Sequence, residues 1–380
     1  MTLRVLIIQA QVKGYRVPFF TQLSGALQSS DIQLRVAYSS PNSAEFVKQD
    51  ICDLPTGFGV KVPARWLFSD KIVYQALLRE LAAADLVIIE QANKHIVNWV
   101  LVASSRLRLK RVAFWGHGRN YQANPSNWPE RLKRRTITYV DWWFAYTSGV
   151  RDYLLELEFP ADKITVVNNS IDTSEFSQSL AAVSNDELCA LRKALRLTSD
   201  ASVGLFCGGL YRSKNLDFLL EAAALIREAI PNFHMVIIGA GTDSNKVTTA
   251  AQKTQWIHYV GPKFGQQKAS YFRLASLFLM PAAVGLSILD AFVAKLPFFT
   301  TDADGHGPEI QYIENSINGF ITRQNSSTYA NIVIKALQNP GFLRQLSEGA
   351  GRSADSYSIE KMVENVRTGI VRCLGLGDDA

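Results

Sequence analysis

Hydrophobic residues along the chain form short apolar runs, each ending in glycine or polar residues and followed by a longer, more polar segment. Runs of this length predict buried strands of a parallel sheet, and the segments between them predict the helices that connect the strands. The predicted strands are residues 3–8, 32–38, 86–90, 111–115, 142–146, 164–167, 203–207, 235–238, 257–260 and 297–300, with one more that ends at Pro281. The pattern therefore predicts an α/β fold.

Three segments outside these strands also carry predictions. Residues 70–84 are predicted as a helix, and a last helix is predicted over residues 359–373. The Ser- and Ala-rich residues 174–184 are predicted as a linker, because such stretches with few large apolar side chains commonly join domains.

The stretch 280–319 carries the densest chemistry. A strand leads into a turn at Gly285 and a helix, and a second strand leads into a polar loop with Asp302, Asp304 and His306. A strand, a glycine turn and a helix N-terminus together make an anion site, because the turn exposes backbone N–H groups beside the positive end of the helix dipole. Two such turns about fifteen residues apart predict neighbouring β-α units whose loops open into one crevice.

Asp290 lies at the edge of the apolar face of the helix after Gly285. The face itself consists of Leu286, Leu289, Phe292 and Val293. A carboxylate turned halfway toward a core is costly unless it is hydrogen-bonded. A ligand diol such as a ribose would supply those bonds, but a helix cap or a salt bridge to a neighbouring loop would do so equally well.

Composition and cysteine usage narrow the class of protein. With 380 residues, 47% hydrophobic and 19% charged, the chain is long enough for two globular domains. Its four cysteines are far apart and form no C-x-x-C motif, which argues against a disulfide framework or a zinc site and favours a reducing cytoplasm. The N-terminal apolar run is too short for a signal peptide, and no apolar run approaches the length of a membrane span.

Positive charge is concentrated in the first half. Residues 1–170 hold 21 Lys and Arg against 14 Asp and Glu, a net charge of +7, whereas the remainder has a net charge of −1. The basic residues are densest at 106–111 and 131–135. Nucleic acid is disfavoured because aromatic RNA-binding signatures are absent. An anionic membrane surface, a diphosphate-linked acceptor and a solvated basic helix face stay open as interpretations.

Polar residues also follow the strands of the first half. A loop with Gly14 and Arg16 follows the first strand, the segment from Glu90 to Lys94 follows another, and His117 stands between two glycines after a third. Strand ends are where crevice residues lie in such sheets. Gly14 either lets backbone approach a ligand or serves a tight turn, and His117 is either a ligand contact or a structural histidine.

The motif order resembles the donor-binding region of the retaining glycosyltransferases of family 4. The matching residues are Pro281, Gly285, Leu286, Leu289, Asp290, Ala291, Leu296, Pro297, Thr301, Asp302, Pro308, Glu309, Asn318 and Gly319. The resemblance implies the GT-B fold, two Rossmann-like domains facing across a cleft. It places an acceptor domain at 1–173, a nucleotide-sugar domain at 174–355, and at 356–380 a helix that returns to the first domain.

The resemblance also implies roles for individual residues. Lys214 matches the lysine that holds the donor diphosphate, and Arg212 is expected to replace an arginine that is Gly209 here. The implied catalytic residues are His117, Arg212 and Lys214. The implied donor-binding residues are Gly14, Gly208, Arg212, Lys214, Gly239, Gly285, Leu286, Ser287 and Asp290. The implied acceptor-side residues are Arg16, Glu90, Lys94, Arg119 and Asn120.

One position departs from the family pattern. The first of two glutamates eight residues apart falls at Ala282, so the sugar contact it makes in the family must come from elsewhere, for example from backbone N–H groups of residues 284–287. Loss of catalysis is the other explanation.

The resulting prediction is a cytoplasmic, metal-independent hexosyltransferase at the inner face of the membrane, active in cell-surface polysaccharide synthesis. It would use no cofactor, a nucleotide-diphosphate sugar as donor, and a saccharide or polyprenyl-diphosphate-linked acceptor. The alternatives are a nucleotide-sugar epimerase on the same fold and a non-catalytic nucleotide-binding assembly protein.

Overall fold

The computed structural model describes residues 2–41, 51–68, 72–92, 94–118 and 134–376. Contacts divide the chain into two compact units. The first unit comprises residues 1–172 and 358–380, and the second comprises residues 173–357.

Within the described residues of the first unit, seven parallel strands form one sheet in the order β3-β2-β1-β6-β7-β8-β9. These strands are β1 (Leu3–Ile8), β2 (Ile32–Tyr38), β3 (Gly59–Lys61), β6 (Leu86–Glu90), β7 (Arg111–Gly116), β8 (Trp142–Ala145) and β9 (Ile164–Val166). Their positions confirm the predicted strands of the first half. The parallel ladder arises because each strand is followed by a crossover segment rather than by a tight hairpin.

Both faces of this sheet are covered. In β1, Val5 and Ile7 belong to the apolar cluster on one face, and Leu6 and Ile8 belong to the cluster on the other, as the two-residue period of a strand requires. The α-helices among the described residues of the unit are Val17–Gln28, Leu78–Ala83, Ile96–Arg106, Ser148–Glu156 and Ile359–Leu374. The last of them packs against the first and against β8 and β9.

The helix predicted over residues 70–84 is wrong. Ile72–Gln75 is a strand, β5, which pairs antiparallel with β4 (Ala64–Leu67), and only Leu78–Ala83 is helical. The sequence Ile-Val-Tyr favours a strand because β-branched and aromatic side chains fit a pleated surface. The backbone N–H of Val73 also donates to the carbonyl of Lys94, so the strand has a neighbour on a second side.

Six parallel strands form the sheet described in the second unit, in the order β12-β11-β10-β13-β14-β15. They are β10 (Ser202–Cys207), β11 (Phe233–Ile238), β12 (Ile257–Gly261), β13 (Leu277–Leu279), β14 (Phe298–Thr301) and β15 (Gly319–Thr322). Strand order runs outward from β10 in one direction and then from β13 in the other. The boundary between β10 and β13 is therefore a topological switch point, where ligands bind in sheets of this kind.

The helices of the second unit correct a further prediction. They are Ser174–Ala182, Asn185–Ala194, Leu216–Ala229, Ser244–Lys253, Gly265–Leu274, Ser287–Val293, Ser326–Gln338 and Pro340–Ser356. Residues 174–184, predicted as a linker, are thus mostly helix. The reason is Phe176, whose ring packs edge-on against Phe272 at 5.0 Å and thereby fixes this helix onto Gly265–Leu274. In the described ranges, no helix has both the length and the apolar composition needed to cross a bilayer.

Candidate functional site

Two loops leave the carboxyl ends of the adjacent strands β10 and β13. The first continues through Gly208 into a short 3-10 helix, Arg212–Lys214, and the second runs from Met280 to the helix Ser287–Val293. Asn215 joins the 3-10 helix to Leu216–Ala229 in the left-handed conformation, with φ 50°. This bend keeps the cationic residues Arg212 and Lys214 out of the helix and at the end of the sheet.

Gly239 allows two loops of the second unit to touch. Its φ is +144°, and a Cβ built there would lie 1.9 Å from the carbonyl oxygen of Gly208. A side chain at 239 would therefore push the loop after β10 away from β11. The observed role of Gly239 is this close backbone packing, while its contact with a donor stays a prediction.

Lys214 joins the two loops at the switch point. Its Nζ donates a hydrogen bond to the carbonyl oxygen of Ala283 and lies 3.6 Å from the sulfur of Met280. Burial lowers the pKa of Lys214 from 10.5 to about 8. In the described part of the chain, its only hydrogen-bonded oxygen is this neutral carbonyl, so its charge is not neutralised by a carboxylate.

The loop after β14 is bonded to the loop after β13. The N–H of Val284 donates to Nδ1 of His306 at 3.1 Å, and the N–H of Gly307 donates to the carbonyl of Val284 at 2.8 Å. Nδ1 of His306 is thus an acceptor, and burial, assisted by the charge of Lys214, lowers the pKa of this histidine. The prediction that the two turns lie side by side is confirmed.

The turn between these loops presents backbone donors. The N–H groups of Gly285, Leu286 and Ser287 donate to no other described residue, whereas those of Ile288 and Leu289 bond back to Gly285 and Leu286. A Cβ at Gly285 would meet nothing within 4 Å, so space is open on that side. The helix that follows is short, with seven residues. The positive groups of this site are the N–H groups of the turn and the ammonium of Lys214.

Asp290 has a partner that the sequence reasoning missed. Its Oδ2 accepts from Nζ of Lys268 at 2.7 Å, and the two side chains are 15% and 20% exposed. Burial raises the pKa of Asp290, and Lys268 opposes that shift. The same pair lies close to the thiol of Cys207, whose pKa burial raises to about 12. Both interpretations of Asp290 therefore remain, since Oδ1 accepts no hydrogen bond from the described residues.

The remaining predicted residues of the second unit are less constrained. Arg212 is exposed, two residues before Lys214 in the same 3-10 helix. Ala282, where the family pattern has a glutamate, is buried with 4% exposure. No three His, Cys, Asp or Glu side chains of the described residues converge as metal ligands would.

His117 directly follows β7 of the first unit, as predicted. It is exposed, and its ring meets that of Tyr146 at 4.3 Å in an edge-to-face arrangement. Gly118 behind it has φ +70°, and a Cβ there would lie 3.1 Å from the ring of Tyr153. The glycine thus lets the chain turn sharply beside a packed helix, leaving His117 at the carboxyl edge of the sheet.

Glu90 is held by a histidine absent from the sequence-based predictions. Its Oε2 lies 3.6 Å from Nε2 of His95. Burial opposes ionisation of Glu90, but His95, Lys94 and Arg16 together hold its pKa below the usual value. Lys94 is exposed. Asn98 fixes this loop by donating to the carbonyls of Glu90 and Ala92, at 2.7 and 2.9 Å.

Arg16 is buried rather than open to a ligand, with 8% exposure. Its Nη2 donates to Oδ1 of Asn169 at 2.7 Å. The guanidinium carbon lies 5.2 to 5.9 Å from the ring centroids of Tyr15, Trp115 and Tyr146. The arginine therefore holds the loop after β1 against the ends of neighbouring strands, and Gly14 is the first residue of the 3-10 helix within that loop.

Among the described residues, several buried polar atoms at this edge have no hydrogen-bond partner. They are Oε1 of Gln11 and Gln75, both amide atoms of Gln91, Nδ1 of His95, Nε1 of Trp115 and Oγ1 of Thr147, whereas Nε2 of His95 faces the carboxylate of Glu90. Each residue stands at, or shortly after, the end of a strand. Apart from Gln91, which lies in the segment from Glu90 to Lys94, the sequence analysis did not select them, because single polar residues near strand ends form no recognisable motif. Arg119 and Asn120, predicted on the acceptor side, lie outside the described residues.

Each unit is built on a parallel, Rossmann-like sheet, and two such units make up the GT-B fold class. Two family models match the chain, "Glycosyltransferase Family 4" at residues 19–175 and "Glycosyl transferases group 1" at residues 201–339. The models fall on the first and second units respectively. The chain belongs to the group 1, family 4 glycosyltransferases.

Individual relatives are distant. The chain is 23% identical over 228 residues to alpha-monoglucosyldiacylglycerol synthase of Acholeplasma laidlawii, with 58% of this chain and 56% of that protein covered. It is 25% identical over 238 residues to the putative glycosyltransferase EpsD of Bacillus subtilis, with coverages of 59% and 61%. The matches thus span little more than half the length of these curated relatives.

A solved structure covers nearly the whole chain. The crystal structure of Anabaena HepE in complex with UDP aligns with a TM-score of 0.68 at 12% identity, covering 97% of this chain and 100% of that one. At that identity the match establishes the fold alone.

Proposed function

We propose that this protein transfers a sugar from a nucleotide-diphosphate sugar to a saccharide or lipid-linked saccharide, with retention at the anomeric carbon. The observation that carries the proposal is Lys214, a half-buried ammonium with no carboxylate partner among the described residues, beside the unbonded N–H groups of Gly285, Leu286 and Ser287. A cation next to backbone donors is suited to a diphosphate. Solved structures of HepE with UDP and with UDP-glucose support a donor of this class.

Asp290 is proposed to bind the ribose of the donor. Its Oδ2 is engaged by Lys268, and Oδ1 is left as an acceptor for hydroxyl groups. Lys268 would keep the carboxylate ionised although burial alone raises its pKa. A ribose diol would then replace water on a preformed acceptor, which costs little reorganisation.

Catalysis is proposed to rest on positioning and on stabilisation of the leaving diphosphate. The bond from the anomeric carbon to the diphosphate oxygen breaks, and a bond to the acceptor oxygen forms on the same face. The acceptor proton passes to the departing diphosphate oxygen. Lys214 and Arg212 would neutralise the developing charge, without a metal or other cofactor, and His117 would contact the transferred sugar.

The acceptor is proposed to be a saccharide because of the first unit's carboxyl edge. The unpartnered amide, imidazole, indole and hydroxyl groups there match the many donors and acceptors of a sugar. A polyprenyl-diphosphate carrier at the inner face of the membrane, in cell-surface polysaccharide synthesis, is part of the same proposal and accords with the net charge of +7 over residues 1–170.

The test is slow hydrolysis of a panel of nucleotide sugars by the wild type, Lys214→Ala and Lys335→Ala. Lys335 is an exposed lysine on a surface helix of the second unit and serves as the matched control. We expect one nucleotide sugar to lose its sugar in the wild type and the control, and not in Lys214→Ala.

Two other results would replace the proposal. Conversion of the donor into an isomeric nucleotide sugar would identify an epimerase. Nucleotide binding without cleavage of any donor, with acceptors present, would identify a non-catalytic binding protein.

A further inference from the structure

Exposed apolar side chains are concentrated in the first unit. Of the thirteen large hydrophobic side chains that are exposed among the described residues, ten belong to it. Isolated exposed apolar residues are ordinary on a protein surface, but a contiguous group on one element indicates an interaction surface.

The helix Ile96–Arg106 carries such a group on its outward face. Ile96, Trp99, Val100 and Ala103 follow the i, i+3, i+4, i+7 spacing of one helical face, and all four are exposed. The opposite face is already occupied, because Leu101 and Val102 are buried against the sheet. An eleven-residue helix is too short to cross a bilayer, so its second apolar face is suited to lying on a surface.

The apolar face continues into a rigid turn. The N–H of Leu109 donates to the carbonyl of Ser104, and the N–H of Arg108 donates to the carbonyl of Ser105. These two hydrogen bonds are the pattern of a Schellman cap. This pattern normally pairs the residue at 109 with an apolar residue at 104, but Ser104 supplies none. Leu109 is consequently 74% exposed, and Leu107 in the same hydrogen-bonded turn is 67% exposed.

Positive charge is interleaved with these leucines. The basic residues around the two leucines are Arg106, Arg108, Lys110 and Arg111. Residues 95–111 contain no Asp or Glu. Arg108 occupies the left-handed position of the cap, with φ 58°, where glycine is usual and another residue costs about 1 kcal/mol. A basic side chain therefore stands where backbone geometry alone would select glycine.

Apolar and basic groups at one-residue spacing match a surface whose apolar and anionic layers lie within a few ångströms of each other. The headgroup region of a bilayer with anionic lipid has that arrangement. An acidic protein would complement the arginines but would leave Leu107 and Leu109 without an apolar environment. Trp99 on the same helix face is also the residue type that prefers a membrane interface.

We propose that the basic-apolar ridge, defined as the outward face of helix Ile96–Arg106 together with residues 107–111, inserts shallowly into the headgroup region of bilayers that contain anionic lipid. The proposal does not depend on transfer activity. It predicts binding to lipid alone, in the absence of donor and acceptor.

The test is co-sedimentation of the full chain with vesicles of phosphatidylcholine, with or without phosphatidylglycerol. The first variant is Leu107→Ser with Leu109→Ser, and its control is Phe264→Ser, which removes a 79% exposed side chain from the second unit. The second variant is Arg106→Glu with Arg108→Glu. Its control is Lys335→Glu with Arg344→Glu, two exposed residues of the second unit that give the same change in net charge.

The wild type and both controls should bind the anionic vesicles and release from them as salt rises. Each ridge variant should bind at least about tenfold more weakly, since burying one leucine or pairing two basic groups is worth that factor. Brominated lipid should quench wild-type fluorescence more than that of Trp99→Phe. The proposal is overturned if wild type binds neither vesicle, if the controls lose as much binding as the ridge variants, or if the leucine variant binds like wild type.

Discussion

The carboxyl edges of the two sheets are built differently. In the second unit, hydrogen bonds join the loops after β10, β13 and β14. Lys214 donates to Ala283, Val284 donates to His306, and Gly307 donates to Val284. In the described residues of the first unit, seven buried polar atoms at the same edge have no partner, against two in the described part of the second unit, on Thr300 and His306.

Under the proposed function, this difference would be a division of labour. A nucleotide-diphosphate donor presents the same diphosphate whatever its sugar, so a donor site can be preformed by backbone bonds at small cost. An acceptor differs from one enzyme to another. Each buried polar group without a hydrogen bond lowers the free energy of unfolding by about 1–3 kcal/mol. Hydroxyl groups of a ligand or water molecules that bond to these groups remove that cost.

Lys214→Ala tests the preformed edge and should have the largest effect. Removing a charge-assisted contact should weaken nucleoside diphosphate binding by about 1.5–3 kcal/mol and lower turnover, while the fold persists. Isothermal titration calorimetry with UDP and GDP measures the change, with Lys335→Ala as the control. Unchanged affinity would remove Lys214 from the donor site.

Asp290→Asn should weaken donor binding by roughly 1–3 kcal/mol, because an amide presents one acceptor where the ribose needs a carboxylate. The variant also leaves the ammonium of Lys268 without its partner, so the free energy of unfolding should fall as well. Affinity per folded molecule for a nucleoside diphosphate and its 2′,3′-dideoxy analogue separates the two effects. If wild type and variant discriminate equally, Asp290 is only the partner of Lys268.

Donor affinity should depend on pH through Lys214. Burial sets its pKa at about 8, and a diphosphate prefers the charged form. Affinity should therefore be nearly constant below pH 7 and should fall above pH 8, by up to about tenfold per pH unit. Lys214→Arg, which stays charged, should lose this dependence. A flat profile in the wild type between pH 7 and 9.5 would contradict the assignment.

Gln91→Leu tests the first edge and should have the smallest effect. Its two amide atoms are buried without partners, so replacement by an apolar side chain should leave the free energy of unfolding unchanged or raise it by up to about 1 kcal/mol. Asn98→Leu is the matched comparison. Asn98 donates hydrogen bonds to two backbone carbonyls, so its replacement should lower the free energy of unfolding by about 1–3 kcal/mol, as measured by urea unfolding. Equal costs for both variants would mean that the amide of Gln91 is as well satisfied in the folded protein as that of Asn98.

Sequence predicted most strands closely because a buried parallel strand is a continuous apolar run whose ends are marked by glycine or polar residues. It also placed Lys214 and Gly285 in loops that follow strands, and Asp290 on the helix after Gly285. It missed Lys268 and His95, because their partnerships join residues brought close by tertiary packing and leave no spacing signal.

The helix 174–182 and the strand 72–75 were missed for a different reason. Short segments of mixed composition have no decisive period, and tertiary contacts such as Phe176 on Phe272 and Val73 on Lys94 stabilise the conformation that forms.

The helix Ile359–Leu374 gives the first unit an unusual order of assembly. It contributes Met362, Val366 and Ile370 to the same apolar cluster as Val5 and Phe20, yet it is synthesised after the whole second unit. At translation rates of about 5–20 residues per second, roughly 10–40 s separate the end of the first unit's main segment from this helix. During that time the nascent first unit exposes one face of its core. The second unit, a continuous segment, can complete its own core in the interval, so the half of the protein that begins first finishes last.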